Sequence, residues 1–169
     1  GLKSLADIQI LDYICLNIDR HPGNMLYQFD TTDPQNPKFI GVQGIDNDVS
    51  FGTFVEDNDF DPRRPITQLE NLGIISQSTY ESLMEMSTDS LRACLKARQM
   101  GIDEIEAACS RLEKLKNKVL EDKEYFDNRE AEGALLEKGK IRIVSDEQFA
   151  QLTIDDVLKA APYAKAFKN

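Results

Sequence analysis

Asp19, Asn24, Asp46 and Asp48 are the side chains best suited to hold a hard cation against a phosphate chain. They fall in two short runs, Asn17-Ile18-Asp19-Arg20-His21-Pro22-Gly23-Asn24 and Gly44-Ile45-Asp46-Asn47-Asp48-Val49-Ser50-Phe51-Gly52, each at the edge of an apolar segment. Carboxylate and amide oxygens suit Mg2+, whereas nitrogen or sulfur donors suit a softer metal. Phosphoryl transfer needs these types: a carboxylate to orient the attacking hydroxyl, and oxygen ligands for a cation bridging the phosphates. The same residues also fit a plainer role, in which Asn17, Asp19 and Asn24 shape a turn and Asp46-Asn47-Asp48 close a loop. His21, the only histidine, suits either. Asp57-x-Asp59-x-Asp61 opens like a calcium loop. Pro62 takes its glycine position and Gln68 the place of its bidentate Glu, so calcium is not expected there.

The elements that must position these residues follow from periodicity. Leu5, Ile8, Leu11 and Cys15, with Ile10 and Ile14 beside them, predict a helix from Ser4, its candidate cap, to Leu16. Pro22-Gly23 ends any continuation, so residues 17–24 form a loop. Met25 to Phe29 and Phe39 to Val42 read as strands, joined through the turn-rich residues 30–37 into a hairpin. That hairpin brings Asn24 and Asp46 to the outer ends of neighbouring strands. Residues 49–65 form a long loop with an acidic centre, Glu56 to Asp61, followed by Arg63-Arg64.

Helix formers dominate thereafter. Helices are expected over Gln77–Met86, over Asp89–Met100 with Thr88 or Asp89 as cap and Gly101 as stop, and over Asp103–Phe126. The last buries Ile105, Ala108, Leu112, Leu115, Val119 and Leu120 and exposes the pairs Glu113–Lys116 and Glu121–Lys118. Ile141 to Val144 reads as a strand, and Ile154 to Ala166 as a helix interrupted by Pro162. The fold class is mainly α with a small β-hairpin (α+β).

Bulk properties limit the partners. Twenty Lys and Arg against thirty Asp and Glu give a formal charge of −10, which repels nucleic acid and anionic membranes. No apolar run is long enough to span a bilayer and no signal peptide is visible. Cys15, Cys94 and Cys109, odd in number and widely spaced, are expected as buried free thiols in a reducing, cytoplasmic compartment, a secreted effector being the alternative.

Together, Asn17-x-Asp19-Arg20-His21-x-x-Asn24 and Ile45-Asp46-Asn47-Asp48-x-Ser50-Phe51-Gly52 resemble the catalytic and metal-binding segments of atypical, phosphoinositide-kinase-like kinases. The five-residue step from Asp19 to Asn24 matches the kinase catalytic loop. The resemblance covers roughly the first third of the chain. It implies a kinase C-terminal lobe using ATP and Mg2+. Asp19 would be the catalytic Asp, with His21 contacting phosphate and Arg20 bracing the loop. Asn24 and Asp46 would be the metal ligands and nucleotide contacts.

The pattern departs from the family where Asn47-Asp48 replaces Phe-Gly, which makes Asp48 either a further metal ligand or a turn residue. No glycine-rich loop or ATP-contacting Lys precedes Asp12, so a nucleotide lobe is expected upstream if the protein is active. The chain then divides into catalytic and metal segments (1–52), an activation-like loop (53–76) and a helical scaffold (77–169). Phosphoinositide headgroups are polyanions, so the acidic loop favours a neutral or basic protein substrate. Two readings stay open: an Mg-ATP phosphotransferase, or a catalytically inactive kinase-like binding and regulatory module.

Overall fold

The computed structural model describes residues 2–20, 22–53, 73–129, 137 and 139–153. His21, the acidic residues 56–61, Arg63-Arg64 and the helix expected over 154–166 lie outside the described residues.

Helix α1 (Leu2–Cys15) is buried on most sides, with Leu5, Ala6, Ile8, Ile10, Tyr13 and Ile14 joined by the polar Gln9 and Asp12. An all-round apolar helix belongs inside a domain. Leu11 is an exception to the expected face, being half exposed. Ser4 does not cap the helix: it lies inside α1, and its hydroxyl accepts from the Val42 N–H at 3.1 Å, tying α1 to the sheet.

A 3-10 turn (Pro22–Asn24) leads into the hairpin of β1 (Met25–Asp30) and β2 (Lys38–Gly44). The antiparallel register runs from Met25 opposite Gly44 to Asp30 opposite Lys38, with a bulge at Gln28/Phe29. At its tip the Asp30 and Asp33 carboxylates accept from the N–H groups of Thr32 and Gln35, the side-chain turns that Asp favours.

A second sheet pairs β3 (Ile74–Ser76) with β4 (Arg142–Val144) in parallel, so α+β holds with two small sheets rather than one. Between them run α2 (Gln77–Glu85), α3 (Thr88–Ala97) and α4 (Ile102–Asp127), and α5 (Asp146–Gln151) follows β4. Serine hydroxyls cap three helices: Ser76 for α2, Ser87 for α3 and Ser145, within a capping box, for α5. Ser87 therefore replaces the expected Thr88 or Asp89. Gly101 does not stop α3 but caps the start of α4. Helix α3 ends through left-handed Gln99 (φ 59°), whose N–H reaches Lys96 O while that of Met100 reaches Leu95 O.

The main core joins Ile10, Tyr13 and Ile14 of α1 to Ile75, Leu83, Ile141 and the α4 stripe of Leu112, Leu115 and Val119. Leu120 falls off that stripe and is 45% exposed. The expected surface pairs on α4 are also replaced. Lys116 donates to Met86 O, and Lys118 bonds Asp122 Oδ2 at 2.6 Å.

Asp122 is 1% exposed and also accepts from the Ile141 N–H (2.8 Å), while Lys140 Nζ lies 3.2 Å from its other oxygen. It latches α4 to β4. Asp122→Ala leaves the buried Ile141 N–H without its acceptor and Lys118 and Lys140 without their counter-ion, although Lys118 keeps its bond to Gly139 O. Because both lysines reach solvent, the expected loss is about 2–3 kcal/mol. Thermal unfolding should show it as a fall in Tm of roughly 5–10 °C.

Candidate functional site

The end of α1 sets the direction of the loop over residues 17–24. Leu16 is left-handed (φ 51°), its N–H bonding Tyr13 O at 3.2 Å while the Asn17 N–H bonds Asp12 O at 2.9 Å. These two bonds make a Schellman ending, normally given to glycine. Forcing leucine into it costs roughly 1–2 kcal/mol. Burying the Leu16 side chain, 2% exposed, offsets that cost.

The chain then turns back over α1, and Arg20 becomes the hub of the site. Its Nε and Nη2 form a fork with Asp12 Oδ2 and Oδ1 at 2.9 and 3.0 Å. Nη1 donates to the carbonyls of Asn24 (2.7 Å) and Ile45 (2.9 Å), and Nη2 also reaches Asn47 Oδ1 at 2.6 Å. All five guanidinium hydrogens are thus engaged. Arg20 thus ties the loop to α1 and to the hairpin end, and is 7% exposed. Gly44 has no room for a side chain, since a Cβ there would lie 2.8 Å from Arg20 Nη2.

Asp19, half buried, and Asn24, 5% exposed, face each other across the loop. The Asn24 amide nitrogen donates to Asp19 O at 2.9 Å, with Asp19 Oδ2 at 3.5 Å. That leaves the amide oxygen of Asn24 as its atom for a cation. The Ile45 N–H bonds Asn24 O at 3.0 Å, so Asp46 sits one residue beyond the residue that meets Asn24. Asp46 is exposed and left-handed (φ 54°), a conformation that Asp and Asn tolerate better than other side chains. Asp48 lies exposed two residues further on.

Residues 46–52 form an arm pinned along its length. Asn47 Oδ1 also accepts from Asn17 Nδ2 at 3.3 Å, the Ile18 N–H reaches Val49 O at 3.2 Å, and the N–H of left-handed Phe51 (φ 64°) reaches Cys15 O. Phe51 packs against Leu95, Ile105, Ala108 and Cys109. At the far end Arg111 Nη1 holds Gly52 O at 3.0 Å.

The donor set fits Mg2+. Among the described residues no trio of Asp, Glu, His or Cys side chains converges as a closed metal cage. One amide oxygen and one or two carboxylates, completed by phosphate and water, is the manner in which Mg2+ is usually held.

Residues 2–118 match the family model for phosphatidylinositol 3- and 4-kinase, a span that includes the loop, the hairpin and the arm. The chain belongs to this family. Neither a curated protein nor a solved structure gives a match. Membership bears out the resemblance drawn from Asp19-Arg20-His21-x-x-Asn24, and it makes this a kinase-type phosphotransferase domain at the family level. Among the described residues no helix is long and apolar enough to cross a membrane.

Two contributors to this phosphatidylinositol 3- and 4-kinase site went unread in the sequence. Asp12 and Arg111 both stand on apolar helix faces, where an ionised group is costly unless paired. A charge on a core stripe was the available signal. The thiols also differ from expectation. Cys109 is buried and Cys15 largely so, but Cys94 is exposed. Burial pushes the Cys15 thiol up to about 11, aided by Asp12 and opposed by Arg111, so it stays protonated and unreactive at neutral pH.

Proposed function

We propose that this chain is the C-terminal catalytic lobe of an Mg-ATP-dependent kinase. One observation carries the reading: Arg20 bonds the carbonyls of both Asn24 and Ile45, so the loop bearing Asp19 and the arm bearing Asp46 converge.

Asp19 orients the acceptor hydroxyl and takes its proton as the new O–P bond forms and the bond from the γ-phosphorus to ADP breaks. Asn24 Oδ1 and Asp46 hold the cation, with Asp48 available as a further ligand. When bound, Mg2+ neutralises charge on the phosphate oxygens and aligns them. His21 contacts phosphate by analogy with the family motif. The acceptor is a hydroxyl of a neutral or basic protein, favoured over a phosphoinositide by the acidic run Glu56 to Asp61.

Calorimetry of ATP binding to the full-length protein tests the metal half of this reading. ATP should bind with Mg2+ present and lose that dependence in Asp46→Asn, a substitution that keeps a side chain suited to φ 54° while removing the charge. Absent or Mg-independent ATP binding by the wild type would move the assignment to the inactive binding module.

A further inference from the structure

We infer that Arg111 is a positioning residue for the metal-holding arm, acting on Asp46 through Phe51 and Gly52. The inference rests on the phosphotransferase reading above.

Arg111 lies on the core face of α4 and is fully buried. Its Nε donates to Ile14 O at 2.9 Å and its Nη1 to Gly52 O at 3.0 Å. Those carbonyls flank the bond between the Phe51 N–H and Cys15 O, so one guanidinium clamps the last turn of α1 to the end of the arm. Ile14 O belongs to the C-terminal turn of α1, whose carbonyls carry the negative end of the helix dipole. Burial pulls the Arg111 pKa below its ordinary value, with Cys15 and Tyr13 opposing.

Stability alone does not account for a cation at this point. An apolar residue of similar volume often serves as well or better at a buried site. What arginine adds is a rigid planar fork that reaches two backbone segments in fixed geometry. The arm needs such a clamp because two left-handed non-glycine residues, Asp46 and Phe51, stand near its ends. Strained conformations of this kind persist only where the surroundings hold them. Arg20 restrains the start of the arm at Ile45 and Asn47, and Arg111 restrains its end at Gly52. Releasing Gly52 lets Phe51 relax and carries Asp46 away from Asn24.

The test compares Arg111→Lys with wild type, Asp46→Asn and Asp122→Asn in the full-length protein. Mg-ATP affinity is read by calorimetry and amide hydrogen exchange at Phe51 by mass spectrometry. Arg111→Lys should weaken Mg-ATP binding about ten-fold, the scale on which partners of metal ligands act, and speed exchange at Phe51. Asp122→Asn, which loosens the latch between α4 and β4, should leave affinity unchanged at temperatures where it is folded. Should Arg111→Lys unfold, Arg111→Gln takes its place, keeping an amide donor without the buried charge.

Wild-type affinity in the Arg111 variant, or an equal loss in Asp122→Asn, would overturn the positioning role and leave the phosphotransferase reading standing. Failure of the wild type itself to bind Mg-ATP would overturn both.

Discussion

Asp19→Ala should abolish phosphoryl transfer while leaving Mg-ATP binding and the melting temperature near their wild-type values. The separation follows from how Asp19 is held. Two of the bonds that shape its loop run through its backbone: its N–H donates to Asn17 Oδ1 at 3.1 Å, and its carbonyl accepts from Asn24 Nδ2 at 2.9 Å. Alanine keeps both. The side-chain contact to Asn24 is 3.5 Å, at the limit of a hydrogen bond, and contributes little to the loop. What alanine removes is the carboxylate that, in the proposed function, orients the acceptor and takes its proton. General-base catalysis of this kind is worth about 10²–10⁴-fold in rate. Transfer from γ-labelled ATP, measured beside a melting curve, checks it. Asp19→Asn is the shape-matched control and should be as slow as alanine. Wild-type turnover in either variant would remove Asp19 from the mechanism.

The parts of this fold that could be read from sequence are those whose signal is local. Helix α1, the hairpin and α4 each announce themselves by period, by Pro22-Gly23, or by the turn-forming residues 30–37. The convergence of Asn24 and Asp46 could be foreseen for the same reason, since hairpin pairing fixes which residues meet at its open end. Contacts between distant segments could not. Residues 141–144 read as a strand, matching β4, but its partner β3, three residues long, shows no period, and the two pair across three intervening helices.

The clamps were hidden in a different way. Arg111 meets Ile14 across 97 residues, and the Asp12–Arg20 fork needs the reversal at Leu16, a left-handed turn with no glycine to mark it. The same holds for Asp46 and Phe51. Their backbone conformations are imposed by tertiary bonds rather than by intrinsic preference. The candidate residues could therefore be named from sequence, but not the bonds that support them.

Those supports carry the largest stability effect expected in the molecule. Arg20→Met should destabilise the fold by about 3–5 kcal/mol, the usual consequence of removing one partner of a buried ion pair. The side chains of Asp12 and Arg20 are 5% and 4% exposed, so solvent cannot replace the lost fork. The carbonyls of Asn24 and Ile45 also lose their shared donor. Against a total stability of about 5–15 kcal/mol, such a loss approaches unfolding. Urea denaturation measures it directly, and a change below about 1 kcal/mol would refute the bracing role.

Arg20→Lys should fall between wild type and methionine. An ammonium can reach the carboxylate but cannot fork it while also holding two carbonyls. The double variant Asp12→Leu with Arg20→Met should be more stable than Arg20→Met alone, because no uncompensated charge remains in the core. Its Mg-ATP binding should nonetheless be weakened, since the Asn24 and Ile45 carbonyls lose their shared donor and only the Ile45 N–H to Asn24 O bond of the hairpin end then joins the two segments. That divergence distinguishes two contributions of one side chain: neutralising a buried carboxylate, which an apolar pair replaces, and fixing the distance between the two segments proposed to hold the metal, which it does not.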